Sequence, residues 1–304
     1  MNESRQRRKM HDDEVPVADS MVRGLIDTQF PQWSGLALRR IPSTGTDNLI
    51  YRLGDGMGVR LPRIHWAVSQ VDKEWVWLRR LAHELPVSVP IPIAKGEPSL
   101  GYPYPWLVYP WIEGEDLQHA SGVDLNGAAR DIAAFVVALQ RADLGDEPPL
   151  GARAGTLALF DQEARWAIGR LGGFDVDRVV SIWDAALRAE AWGKRPVWTH
   201  GDLLAANLIM RDGGLAGVID WSGSGIGDPA CDAQLAWFFP PEQRSVFLDA
   251  LGFDAATRAR ARGWVVWQTA MFIPYYAETI PDAVATAKRR LRAVLDDSDT
   301  PEVD

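Results

Sequence analysis

The sequence predicts an α+β fold in which a small N-terminal antiparallel sheet precedes a larger, mainly helical portion. Short apolar and β-branched segments separated by turn-forming clusters fill residues 36–62. Apolar residues at three- and four-residue steps dominate from Leu125 onward, and a single polar interval, residues 196–229, breaks them with segments short enough to be strands. With 304 residues, 47% hydrophobic and 24% charged, the chain has the length and apolar content for one core or for two lobes.

Residues 1–20 are polar and aperiodic, and residues 297–304 lie in an acidic run that starts at Asp296. Neither has the apolar content to offset the entropy of ordering, so both are expected to be tails. An N-terminal lobe is assigned to 21–110. Its strands are expected at 36–41, 49–53 and 58–61, where Ser, Thr, Gly and Asp separators suit turns. From 66 to 85 the positions Val68, Val71, Trp75, Leu78, Leu81 and Leu85 mark one face of a helix. Pro86, Pro90 and Pro92 then break the chain, and 106–109 is a buried strand bounded by Pro105 and Pro110. The second lobe, 111–296, carries helical spacing over 125–142, 157–171 and 176–192, very short strands at 197–198, 208–210 and 217–219, and helices again from Pro229 to Leu295.

The formal charge of -9 argues against a nucleic-acid or anionic-membrane partner, because phosphate-rich surfaces reward a basic protein; a cationic small molecule fits better. A single cysteine, Cys231, excludes an intramolecular disulfide and a cysteine-rich zinc site, and its expected role is packing. The N-terminus has no apolar region of a signal peptide, and no run of about 18 apolar residues occurs. A cytoplasmic protein is expected, and no protein partner is implied.

The polar interval holds Thr199-His200-Gly201-Asp202, then Asn207 five residues past Asp202, then Asp220 at the end of an apolar strand. A hairpin returning the chain brings the three oxygen-bearing side chains to one mouth. Phosphoryl transfer needs that set: a carboxylate to orient and deprotonate a hydroxyl, and amide and carboxylate oxygens to hold Mg²⁺ against nucleotide phosphates. One Asp in a turn means little, since Asp and Asn cap helices and make turns everywhere. The spacing of all three is that of a kinase catalytic Asp, its Asn and its metal-binding Asp. A hard cation has no need of imidazole, so His200 is expected to brace the loop.

Together with Gly227-Asp228-Pro229 and Asp232, these residues resemble the signature of the aminoglycoside phosphotransferase family, which includes macrolide phosphotransferases and other small-molecule kinases. The resemblance spans most of the chain. It implies a protein-kinase-like bilobal fold, Asp202 as catalytic base, Asn207 and Asp220 as Mg²⁺ ligands, and ATP or GTP as phosphate donor. Asp220-Trp221-Ser222 stands where protein kinases carry Asp-Phe-Gly, which points away from protein substrates. The Asp228 segment is expected to cap the next helix, with Asp232 in its first turn.

The resemblance also assigns roles upstream. Ser43, Thr44, Gly45 and Thr46 lie between two expected strands, where a loop covers the nucleotide phosphates, and their hydroxyl and N–H groups suit phosphate oxygens. Arg60 takes the place of the usual strand lysine, with Glu74 as its helix partner and Arg63 as the competing cation; an Arg fork differs from a Lys point charge in how it meets phosphate. Residues 107–114, including Tyr109 and Trp111, are expected as strand and hinge, with the Trp111 and Ile112 N–H groups available to a purine because Pro110 has none.

The acceptor is expected against the C-terminal helices, which offer Trp237, Phe239, Trp264, Trp267, Phe272, Tyr275 and Tyr276 with Glu278 and Asp282 nearby. Such aromatics are more often core; exposed beside carboxylates they suit an aminoglycoside or macrolide. Two alternatives stay open at this level: a nucleotide-binding pseudokinase, suggested by Arg60 and the glycine-poor loop, and a metal-dependent hydrolase using His200, Asp202 and Asp220.

Overall fold

The computed structural model describes residues 13–42 and 47–297, which divide into two compact units. The first runs to Ala82 and resumes over Pro90–Trp111; the second holds His83–Val89 and the described chain from Ile112 onward. Among the described residues, no helix is long and apolar enough to cross a membrane.

In the first unit β1 (Leu38–Arg40), β2 (Asn48–Leu53), β3 (Met57–Pro62), β4 (Ala94–Gly96) and β5 (Trp106–Pro110) form one antiparallel sheet in the order β1-β2-β3-β5-β4. Strand side chains alternate between faces. Leu49, Tyr51, Leu53, Val59, Leu61, Trp106 and Val108 therefore share one face, where they bury against Val22, Leu25 and Ile26 of helix α1 (Asp19–Gln29). Each such aliphatic side chain contributes about 1.5–3 kcal/mol on burial. Arg60, one step out of phase, points the other way and meets Glu74 of α2 (Val68–Leu81).

Residues 13–20 differ from the expected tail. Val15 N–H donates to the Arg63 carbonyl at 2.9 Å, Val15 and Val17 pack on the sheet core, and α1 begins at Asp19. Two valines two residues apart supply the apolar contact that the polar composition around them obscures.

The second unit is helical: α3 (Leu125–Arg141), α4 (Asp161–Ile168), α5 (Val176–Arg188), α6 (Ala230–Ala233), α7 (Pro241–Leu251), α8 (Ala255–Tyr276) and α9 (Pro281–Leu295). Asp124, Asp175 and Asp254 cap α3, α5 and α8 by accepting N–H bonds from the first turn. Helix α8 is buried on most sides and packs against α4, α5, α6 and α9; its C-terminal half is largely apolar, while its N-terminal half buries Arg260 and Arg262 in ion pairs with Asp228 and Asp297.

Two small sheets interrupt the helices. β6 (Glu115–Asp116), β8 (Leu208–Arg211) and β9 (Gly214–Val218) form one, in the order β6-β8-β9, and β7 (Val197–Thr199) pairs antiparallel with β10 (Gly225–Gly227) in the other. β8 and β9 are joined through Asp212 and Gly213, both at positive φ (53° and 83°), the mirror-image two-residue turn whose twist matches a hairpin. Asp297, placed by composition in an acidic tail, is held instead by the Trp237 indole at 2.9 Å, with Arg244 and Arg262 at 3.4 and 3.5 Å.

Candidate active site

The loop after β7 carries the site in the second unit. Gly201 adopts φ +76°, and a Cβ there would lie 2.3 Å from the Gly223 carbonyl oxygen, so the position between His200 and Asp202 admits only glycine. The N–H groups of His200 and Gly201 both donate to the buried Asp232 carboxylate, at 2.7 and 2.9 Å. Burial pushes the Asp232 carboxyl above its ordinary range, while the His200 side chain and those two N–H groups pull it back. Asp232 was expected only to sit in the first turn of a helix; it is the brace of the loop.

His200 is fully buried, stacks edge-on against Trp221, and bonds through Nε2 to the Ile219 carbonyl at 3.0 Å. A carbonyl only accepts, so Nε2 carries the proton. The imidazole therefore ties the loop to the residue preceding Asp220. Among the described residues His200 Nδ1 is buried with no hydrogen-bond partner, and no group of three or more His, Cys, Asp or Glu is placed to hold a metal, which counts against the hydrolase alternative.

β8 follows Asn207 directly, and the ladder with β9 extends one step as Ile219 N–H donates to the Asn207 carbonyl at 2.9 Å. Asp220 comes next, at the end of that strand, in the left-handed region (φ 59°, ψ 70°). Asp202, Asn207 and Asp220 are thus brought to one end of the β8–β9 hairpin. Asn207 Nδ2 donates to the Asp202 carbonyl at 2.9 Å, which turns Asn207 Oδ1, the atom able to bind a hard cation, away from that bond. Two oxygen donors, with phosphate oxygens and water completing the shell, are what Mg²⁺ takes. Among the described residues no group of three or more His, Cys, Asp or Glu is placed to hold a metal by itself.

Asp202 has partners that the sequence did not disclose. Gln268 Nε2 of α8 donates to Asp202 Oδ1 at 2.8 Å, and Arg153 Nη2 approaches the same oxygen at 3.1 Å. Behind Gln268 lies Arg290 of α9, whose Nη1 donates to Gln268 Oε1 at 2.8 Å. Arginine cannot accept, so this contact fixes the amide with its NH₂ toward Asp202. Burial pushes the Arg290 guanidinium down to about 10, partly offset by the Asp202 charge. These contacts fall on Oδ1, and Asp202 keeps 28% of its side-chain surface exposed. Asp228 is structural: it accepts from the Ala230 N–H at 3.0 Å and is gripped by Arg260 at 2.6 and 3.2 Å.

The first unit holds the upstream residues. Arg60 and Glu74 form an ion pair of 2.7 Å with side chains only 6% and 4% exposed. Arg63 is engaged elsewhere, with Glu14 at 3.7 Å and the Asn48 carbonyl at 3.1 Å, so Arg60 is the cation that meets the α2 glutamate. Trp111 departs from expectation: its N–H donates to the Gly56 carbonyl at 2.8 Å and its ring lies under Arg52, so the sheet already uses one of the two donors expected for a purine, the other being Ile112. Tyr109 pairs with Gly58 in the β3–β5 ladder. Ser43, Thr44, Gly45 and Thr46 lie outside the described residues. Of the aromatics considered for the acceptor, Trp237, Phe239 and Trp264 are core, whereas Trp267 is half-buried and Tyr275 exposed.

A family model for phosphotransferase enzymes matches residues 38–264. The chain belongs to the phosphotransferase enzyme family. The GDP complex of a mutant aminoglycoside 2'-phosphotransferase-IIIa superposes with a TM-score of 0.73 at 17% identity, covering 91% of this chain and 97% of that one. The ternary complex of APH(2")-IIa with streptomycin and ATP gives 0.60 at 18%, covering 91% and 100%. The macrolide 2'-phosphotransferase MphH from Brachybacterium faecium, as apoenzyme, gives 0.58 at 23%, covering 91% and 100%. At these identities the likeness is one of fold, and the fold of this phosphotransferase is kinase-like. None of the curated proteins compared with the chain matches it.

Proposed function

We propose that this phosphotransferase moves the γ-phosphate of ATP or GTP to a hydroxyl of a small organic molecule, with Asp202 as base and Asn207 and Asp220 as ligands of Mg²⁺. The observation that carries the proposal is the braced loop, in which Asp232, His200 and Asn207 fix Asp202 and Asp220 at one end of a hairpin. The contacts to Asp202 Oδ1 leave Oδ2 to accept the acceptor hydroxyl and take its proton as the oxygen attacks in line. Bound Mg²⁺ supplies charge neutralisation at the transferring phosphoryl group. In the first unit, Arg60 held by Glu74 is the group for the nucleotide phosphates, with the loop 43–46 as its companion.

GDP and ATP stand in the solved complexes of similar fold, together with streptomycin, so nucleotide and antibiotic hydroxyl are the first donor and acceptor to test. The acidic balance of the chain favours a cationic acceptor; the guanidinium beside Asp202 argues the other way. Incubation with Mg²⁺ and ATP or GTP is expected to release nucleoside diphosphate and add one phosphoryl group, seen by mass, to an acceptor, and chelation by EDTA is expected to stop both. The pseudokinase alternative predicts nucleotide binding without release.

A further inference from the structure

We infer that Arg153 selects the acceptor by charge, so that the hydroxyl presented to Asp202 belongs to a neutral or anionic molecule rather than to a polyamine such as an aminoglycoside. The inference rests on the phosphotransfer reading above and names its acceptor class. Arg153 Nη2 lies 3.1 Å from Asp202 Oδ1, on the oxygen adjacent to the one that meets the acceptor. Its side chain is only 11% exposed, its guanidinium lies over the Trp267 ring at 5.4 Å, and its buried Nε–H has no hydrogen-bond partner among the described residues. A buried donor without an acceptor is costly, and an oxygen of a bound molecule is the group that relieves it.

The arginine is also held. Gly151 N–H donates to the Ile226 carbonyl at 3.1 Å and Ala152 N–H to the Gly223 carbonyl at 2.9 Å, which pins its loop to β10 and to the turn that precedes it. Trp267 beneath it is fixed through its indole N–H to Glu163 at 2.7 Å. Arg290 adds a second, buried positive charge behind Gln268, felt by both Asp202 and Arg153. The carboxylate of Asp202 thus faces two guanidinium groups, and although Asp232 offsets part of the Arg153 charge, a cation seated beside Arg153 meets its repulsion directly. A unit charge about 6 Å from Arg153, at the effective dielectric of a partly buried site, lowers kcat/KM by about 10- to 100-fold.

The test uses three congeners of one ring, D-glucose, D-glucosamine and D-glucuronate, with kanamycin as the polycationic case. Transfer is read as nucleoside diphosphate release with Mg²⁺ and ATP or GTP; where water is the only acceptor, the congeners are scored instead as competitors of that basal hydrolysis. The expected wild-type order is glucuronate and glucose ahead of glucosamine and kanamycin by about tenfold or more. Arg153→Gln removes that difference and Arg153→Lys keeps it. Three results overturn the inference: the cations performing as well as or better than the others, equal effects in all classes including none, or an Arg153→Gln change that lowers kcat uniformly and leaves the order intact. The last outcome assigns Arg153 to the transferring phosphoryl group instead. Absence of any nucleotide turnover in the wild-type protein sinks the phosphotransfer reading itself, and this inference with it.

Discussion

Asp232 holds two backbone N–H groups at once, and the position of Asp202 one residue further on is inherited from that contact. Its replacement by Asn keeps the size and one acceptor but turns an NH₂ toward the second N–H. Asp232→Asn is therefore expected to cost about 1–3 kcal/mol in a denaturant melt, with a larger proportional loss in turnover than in stability. In the first unit the buried Arg60–Glu74 pair makes a different demand. Glu74→Ala leaves a guanidinium buried without its carboxylate and is expected to cost about 3–5 kcal/mol. Replacing both residues with Met restores much of that, because no uncompensated charge remains, yet the rise in melting temperature on adding nucleotide should be lost. A double variant that still responds to nucleotide would remove Arg60 from the phosphate site.

At the scale of elements, the β8–β9 hairpin was readable because its signals are local: a catalytic spacing and short apolar runs either side of it. Helices α3 and α5 were readable from periodicity, whereas α8, buried on most sides, has no single apolar face and was read only as part of a helical stretch. β4 and β10, three residues each, were not, since Ala-Lys-Gly and Gly-Ile-Gly carry no strand signal and owe their conformation to the partners they pair with. The same limit hid Gln268 and Arg290, which belong to α8 and α9 by periodicity but reach the loop through contacts 66 and 22 residues apart in sequence. Arg290 is buried without a carboxylate of its own, an arrangement that costs stability, and its side-chain bonds go to Gln268 and Gln234. Arg290→Met is accordingly expected to hold its melting temperature within a few degrees while turnover falls about tenfold or more, and Arg290→Lys to recover part of the rate. A drop in stability matching the drop in rate would make Arg290 merely structural.

For the whole molecule, the α+β order was legible in the sheet-then-helix pattern, and the kinase-like fold through the family that the spaced trio and its neighbours resemble. What the trio touches was not: Arg153 and Gln268 approach it from segments that no motif links to it, and Asp232, though part of the motif, gave no sign that it accepts the His200 and Gly201 N–H groups. Composition also misled at both ends, where Val15 and Asp297 engage side chains or backbone far along the sequence. The central claim is that Asp202 takes the acceptor proton in a phosphoryl transfer, and the direct test is the turnover of Asp202→Asn with Mg²⁺, nucleotide and any acceptor the wild-type protein phosphorylates. The account predicts a fall of about a hundredfold or more, within the range of general-base catalysis, with the melting temperature and its nucleotide-induced rise preserved. Transfer by Asp202→Asn at the wild-type rate would contradict it.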